Sequence, residues 1–124
     1  MNIIISNKSG IPIYEQIIKG IKDEIIKGNL EKNSLIPSIR NLARELRVSV
    51  ITSKKAYEEL ERQGYVYTVR GKGTFVADTN LDLIKKDKIK EIEKELLETI
   101  DNAKSIGLNY EKVKEMLKSL WYEE

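Results

Sequence analysis

The chain has 124 residues, of which 40% are hydrophobic and 34% charged, with no cysteine and no histidine. That length holds one small core with an appendage, and the missing residue types exclude disulfides, the usual zinc sites and the Cys–His and Ser-His-Asp nucleophilic arrangements. The formal net charge of +2 is unevenly spread: residues 1–78 carry 13 Lys and Arg against 9 Asp and Glu, residues 79–124 carry 9 against 11, and residues 38–75 carry 8 against 4.

Residues 1–9 read as a polar-capped arm or a short edge strand. Their apolar run, Ile3-Ile4-Ile5, is far too short for a signal-peptide core. No stretch approaches the roughly 20 apolar residues of a membrane span, so a cytoplasmic protein is expected. A helix follows over 11–27, with Pro12 at its first position and Tyr14, Ile17, Ile18, Ile21 and Ile25 repeating with period 3.6 as a core face. Gly28-Asn29 ends it, and 29–37 form a loop closed by Pro37.

Ser38 caps a short helix whose apolar face is Ile39, Leu42, Ala43 and Leu46. After the bend Arg47-Val48-Ser49, a second helix runs to about Gln63, capped by Ser49, stopped by Gly64 and facing inward through Ala56, Tyr57 and Leu60. Residues 65–69 are aromatic and β-branched and read as a strand. Arg70-Gly71-Lys72-Gly73 is a tight basic turn, and 74–77 form the return strand.

Residues 78–82 mark a boundary. A long helix over 83–105 carries Ile89, Ile92, Leu96, Thr99, Ala103 and Ile106 at alternating spacings of 3 and 4, backed by Leu97 and Ile100. The lysines at 85, 86, 88 and 90 fit its solvated face better than a second DNA site. Ile106-Gly107-Leu108-Asn109 interrupts the helix, and a last one follows with a stripe of Tyr110, Val113, Met116, Leu117, Leu120 and Trp121. The expected fold is mainly α with a small β-hairpin wing. Residues 1–78 make a winged helix-turn-helix domain and 79–124 a helical hairpin. Two helices of this size cannot bury so much apolar surface alone. A homodimer through Ile89, Ile92, Leu96, Ile100, Val113, Met116, Leu117, Leu120 and Trp121 is expected, rather than contact with lipid.

Two short helices followed by a basic hairpin offer one helix to the major groove of duplex DNA and a wing to the backbone or minor groove. The second helix is expected to expose Ser49, Val50, Ile51, Thr52 and Ser53, then Lys54 and Lys55. Ser and Thr suit phosphates or base edges, and the two lysines suit phosphates. Val50 and Ile51 suit a thymine methyl, unless one of them rests on the preceding helix. Arg40 is placed for phosphate or guanine, whereas Arg44 and Arg47 fit a solvated surface equally well. Arg70, Gly71 and Lys72 form the wing tip. This turn lacks the ending and following helix of a Walker loop. No cofactor, metal or catalytic group is expected. The function expected is a sequence-specific, dimeric transcriptional repressor on an inverted-repeat operator. The alternative is a winged module that binds protein without DNA.

Five stretches carry a resemblance: Pro12-Ile13-Tyr14-Glu15-Gln16-Ile17, Ile36-Pro37-Ser38-Ile39-Arg40, Leu42-Ala43-Arg44-Glu45-Leu46, Ala56-Tyr57-Glu58-Glu59-Leu60-Glu61 and Arg70-Gly71-Lys72-Gly73-Thr74-Phe75-Val76. In this order and spacing the sequence resembles the DNA-binding domain of the GntR family of bacterial transcriptional regulators. The resemblance implies operator binding as a dimer. It puts the arginine of a Pro-Ser-x-Arg motif on Arg40, the polar opening of the recognition helix on Ser49, Thr52 and Lys54, and the wing glycine and cation on Gly71 and Lys72. Many members carry arginine where this chain has Val50, so readout of guanine through that position is not implied. The short tail resembles the YtrA-like branch, whose members are mostly repressors linked to transporter operons. It implies no defined small-molecule effector.

Overall fold

The structure, a computed structural model, describes residues 1–78 and 81–123. It divides into two units, Met1–Leu81 and Asp82–Glu124.

In the first unit, the isoleucine stripe at period 3.6 makes α1 (Ile13–Ile26) and buries Ile17, Ile18, Ile21 and Ile25. Pro12 is the cap of this helix and not its first residue: its ψ is 141°, and its carbonyl accepts from the Glu15 and Gln16 amides. Ile11, ahead of a proline, is disfavoured in the helical region, which delays the start by two residues from the expected position 11. The arm ahead of α1 is not a strand. Ile3 lies over Gly20, where a Cβ would meet it at 2.8 Å, and the Gln16 side chain clamps both the amide and the carbonyl of Ser6.

α2 (Ile39–Leu46) starts at Ser38, whose hydroxyl accepts from the Asn41 amide. α3 (Val50–Arg62) starts at Ser49. Both pack on the rest of the core through α3, which also meets α1 and β1 (Val66–Val69). Leu42, Ala56, Tyr57, Leu60, Val66 and Val76 close the core with the α1 isoleucines. The Tyr57 hydroxyl donates to the Pro37 carbonyl at 2.6 Å, and burial pushes its pKa up.

β1 pairs antiparallel with β2 (Gly73–Val76), with Tyr67 opposite Phe75 and Val69 opposite Gly73. The segment expected to be a plain loop over 29–37 adds a third, partial edge. Asn33 donates to the Val76 carbonyl, Ile36 donates to that of Thr74, and Val76 donates back to Ser34. Pairing of this kind satisfies the outer edge of β2 over three residues, too few to register as a strand pattern.

In the second unit, α4 (Leu81–Ser105) begins two residues ahead of the expected position 83, with Asp82 in its positively polarised first turn. The expected boundary at 78–82 includes residues 79–80, which lie outside the described residues. α4 closes at Gly107 through amide bonds back to Ala103 and Lys104. Asn109 caps α5 (Tyr110–Trp121) by accepting from the Lys112 amide at 2.9 Å. Among the described residues, α4 and α5 share no extended packing surface, and α5 buries none of its side chains. Ala103 of the α4 seam is buried and Val113 of the α5 stripe half-buried, while the larger apolar residues of both stripes stay exposed. No helix among the described residues is long and apolar enough to cross a membrane.

Candidate nucleic-acid interface

The opening of α3 is built by hydroxyl chemistry that stays within the chain. Ser49 Oγ accepts from the Thr52 amide at 3.0 Å and donates to Thr52 Oγ1 at 2.7 Å. Ser53, expected among the exposed positions, is instead fully buried, its hydroxyl donating to the Ser49 carbonyl. The reason is its spacing: Ser53 stands three, four and seven residues before Ala56, Tyr57 and Leu60, on the same inward stripe. Thr52 is half-buried. What the first turn offers to solvent is chiefly apolar, Val50 at 47% exposure and Ile51 at 81%. Neither is taken up by the core.

The cations around this turn differ in how they are held. Lys55 Nζ sits 3.8 Å from the centre of the Tyr14 ring, so α1 supplies its seat. The Tyr14 hydroxyl donates to Glu15, whose charge is the main reason the phenol titrates above its ordinary value. Lys54 lies 3.9 Å from Glu58, both well exposed, a pairing worth little in water. Arg40, the second residue of α2, is exposed and has no ion-pair partner among the described residues. Arg44 lies in the last turn of α2, where a cation complements the helix dipole. Arg47 forms the bend itself in the left-handed region, at φ 57° and ψ 45°.

Acidic residues are kept from this end of α3. Residues 50–55 include two lysines and no acid, whereas Glu58, Glu59 and Glu61 fall in the second half. Glu59 is engaged there as a carboxylate by hydrogen bonds from Arg62 and Gln63, which hold its carboxyl down at about 2. Glu61 accepts from the Thr68 amide at 2.9 Å and fastens the end of α3 to β1.

The wing is braced from its base. Tyr67 and Phe75 stack with ring centres 5.5 Å apart, and the Tyr67 hydroxyl donates to Asn33. At the tip the Lys72 amide donates to the Val69 carbonyl, closing a turn in which Gly71 has φ 80°. Positive φ at that position is what a type II turn requires and what a side chain resists. Arg70, Gly71 and Lys72 are all exposed. Sequence reasoning misses two supports of the site. These are the Tyr14 seat under Lys55, which depends on how α1 meets α3, and the Asn33–Ile36 edge under the wing.

In the second unit Ile89, Ile92, Leu96, Ile100, Met116, Leu117, Leu120 and Trp121 are exposed, and Val113 is half-buried. Among the described residues no group of carboxylates is arranged to hold a metal ion.

Known proteins are similar to this chain in both sequence and fold. The family model "Bacterial regulatory proteins, gntR family" matches residues 13–76. Over 116 residues the chain is 36% identical to HTH-type transcriptional repressor YtrA of Bacillus subtilis (strain 168), covering 94% of this chain and 89% of that protein. A solved structure titled as a transcriptional antiterminator from Listeria monocytogenes EGD-e superposes with a TM-score of 0.74 at 39% identity, covering 97% of this chain and 90% of that one. AraR(DBD) in complex with operator ORX1 superposes with a TM-score of 0.56 at 31% identity, covering 62% of this chain and 96% of that one.

Proposed function

Because the chain belongs to the gntR family of bacterial regulatory proteins, we propose that this winged helix-turn-helix regulator is a dimeric repressor of an inverted-repeat operator. α3 enters the major groove by its N-terminal turn, and the wing tip lies on the adjacent backbone or minor groove. Arg40, Lys54, Lys55, Arg70 and Lys72 meet phosphates. Ser49, Val50, Ile51, Thr52 and Gly71 form the surface they frame. The observation that carries the reading is the first half of α3, which presents Val50, Ile51, Lys54 and Lys55 to solvent and holds no acid. Further support comes from a relative named as a repressor and from a similar domain solved on operator DNA.

Dimerisation through the open stripes of α4 and α5 supplies the second recognition helix. Two helices bound to successive turns of one face of the duplex give the operator its symmetry.

The test is an electrophoretic titration of wild type, Arg40→Ala and Lys72→Ala at several salt concentrations. Each variant is expected to bind more weakly on every sequence, with the slope of log K against log salt smaller by about 1. Affinity and slope both unchanged in the two variants would overturn the interface.

A further inference from the structure

We infer that Ile51 reads the 5-methyl group of a pyrimidine in the major groove, so that each operator half-site requires thymine at the position it faces. This inference rests on the operator-binding reading above and specifies what α3 recognises.

The polar groups at the start of α3 are largely committed before DNA arrives. The one proton of the Ser49 hydroxyl is given to Thr52, and the Ser53 hydroxyl is buried against the Ser49 carbonyl. A half-buried Thr52 hydroxyl is the main side-chain donor remaining in that turn. Lys55 is seated on Tyr14, and Lys54 stands beside Glu58. Ile51, by contrast, projects with 81% of its surface open, beside a less exposed Val50. It caps nothing, and a β-branched residue is a poor choice for a wet helix position on propensity alone. Thymine is the one base that presents a methyl in the major groove, at C5. An isoleucine side chain held out at a groove-facing helix start matches that group and has nothing to offer a base-edge donor or acceptor.

Burial of one methyl corresponds to about a fourfold change in affinity, and about fifteenfold when a twofold complex loses it from both half-sites. The experiment first selects duplexes from a random pool with the full chain. Each thymine of the selected half-site is then replaced by deoxyuridine, which deletes the methyl and keeps the pairing, in both halves together. One such replacement is expected to weaken wild-type binding about fifteenfold. In Ile51→Ala the same replacement is expected to change nothing. Where that thymine is exchanged for cytosine, 5-methylcytosine is expected to bind more tightly than cytosine in wild type only. Folding of the variants is checked by circular dichroism, and an exposed side chain leaves the core intact.

A half-site insensitive to every deoxyuridine replacement would overturn the inference. So would a methyl preference that survives in Ile51→Ala. A chain that enriches no duplex at all would instead overturn the operator reading on which the inference stands.

Discussion

Arg47 occupies the bend between α2 and α3 with left-handed backbone, its amide turned back toward the end of α2 and the Val48 amide donating to the Ala43 carbonyl. An L side chain there costs roughly 1–2 kcal/mol, and glycine would lose part of that gain to its freer unfolded chain. Arg47→Gly is therefore expected to raise the unfolding free energy by about 0.5–1 kcal/mol, read as a higher midpoint in urea with an unchanged slope. A lower midpoint would mean that packing by the arginine stem outweighs the backbone strain. Residue-level features of this kind are legible where the chemistry is local. Ser38, Ser49 and Asn109 are readable as caps because a cap needs only its own hydroxyl or amide and the next turn. Ser53 is misplaced when its polarity is read ahead of its periodicity, although its spacing from Ala56 and Tyr57 holds the answer. The seat of Lys55 is out of reach, because Tyr14 is 41 positions away and only the α1–α3 packing brings the two together.

The wing shows how an element depends on a neighbour that the sequence does not announce. Its two strands are readable from their β-branched and aromatic residues, and its tip from Gly71. The partial edge at 33–36 is not, because those residues lack alternation and end at Pro37. That edge leans on Gly73, which has φ 125° and lies where a Cβ would stand 2.8 Å from Leu35 Cδ1. Two effects would follow from a side chain there, and their sizes differ. Leu35 is 61% exposed, so its methyl can swing away. The backbone angle cannot relax so easily, and strain of this type is worth roughly 1–3 kcal/mol. Gly73→Ala is expected to lower the melting temperature, and the added Leu35→Ala change is expected not to restore it. Recovery in the double variant would show instead that the collision with Leu35 costs more than the backbone strain. In Gly73→Ala the tip residues Arg70 and Lys72 should bind DNA less well, because the turn that carries them is no longer held.

For the whole molecule the decisive feature is the exposed apolar surface of the second unit. Sequence periodicity locates both stripes and the break between them at Gly107, but it also predicts that a hairpin hides part of each. Ala103 is buried and Val113 half-buried, yet the larger side chains of both stripes stay exposed, because apolar spacing fixes which face of a helix must be covered, not by which surface. In a single chain Leu96 is 44% exposed and Leu120 65%. Such exposure separates folding from association. A charge at either position meets water in the lone chain and has little effect on its stability, yet in a twofold interface it occurs twice and is buried without a partner. Each leucine contributes roughly 1.5–3 kcal/mol when fully buried. Leu96→Glu with Leu120→Glu is therefore expected to weaken the dimer by more than two orders of magnitude while the helical circular dichroism of the chain is retained. Light scattering against concentration measures the first and the spectrum the second. Operator affinity should fall with the dimer and recover at high protein concentration, because the recognition surfaces themselves are untouched. A variant that stays dimeric at low micromolar concentration would move the interface off these stripes.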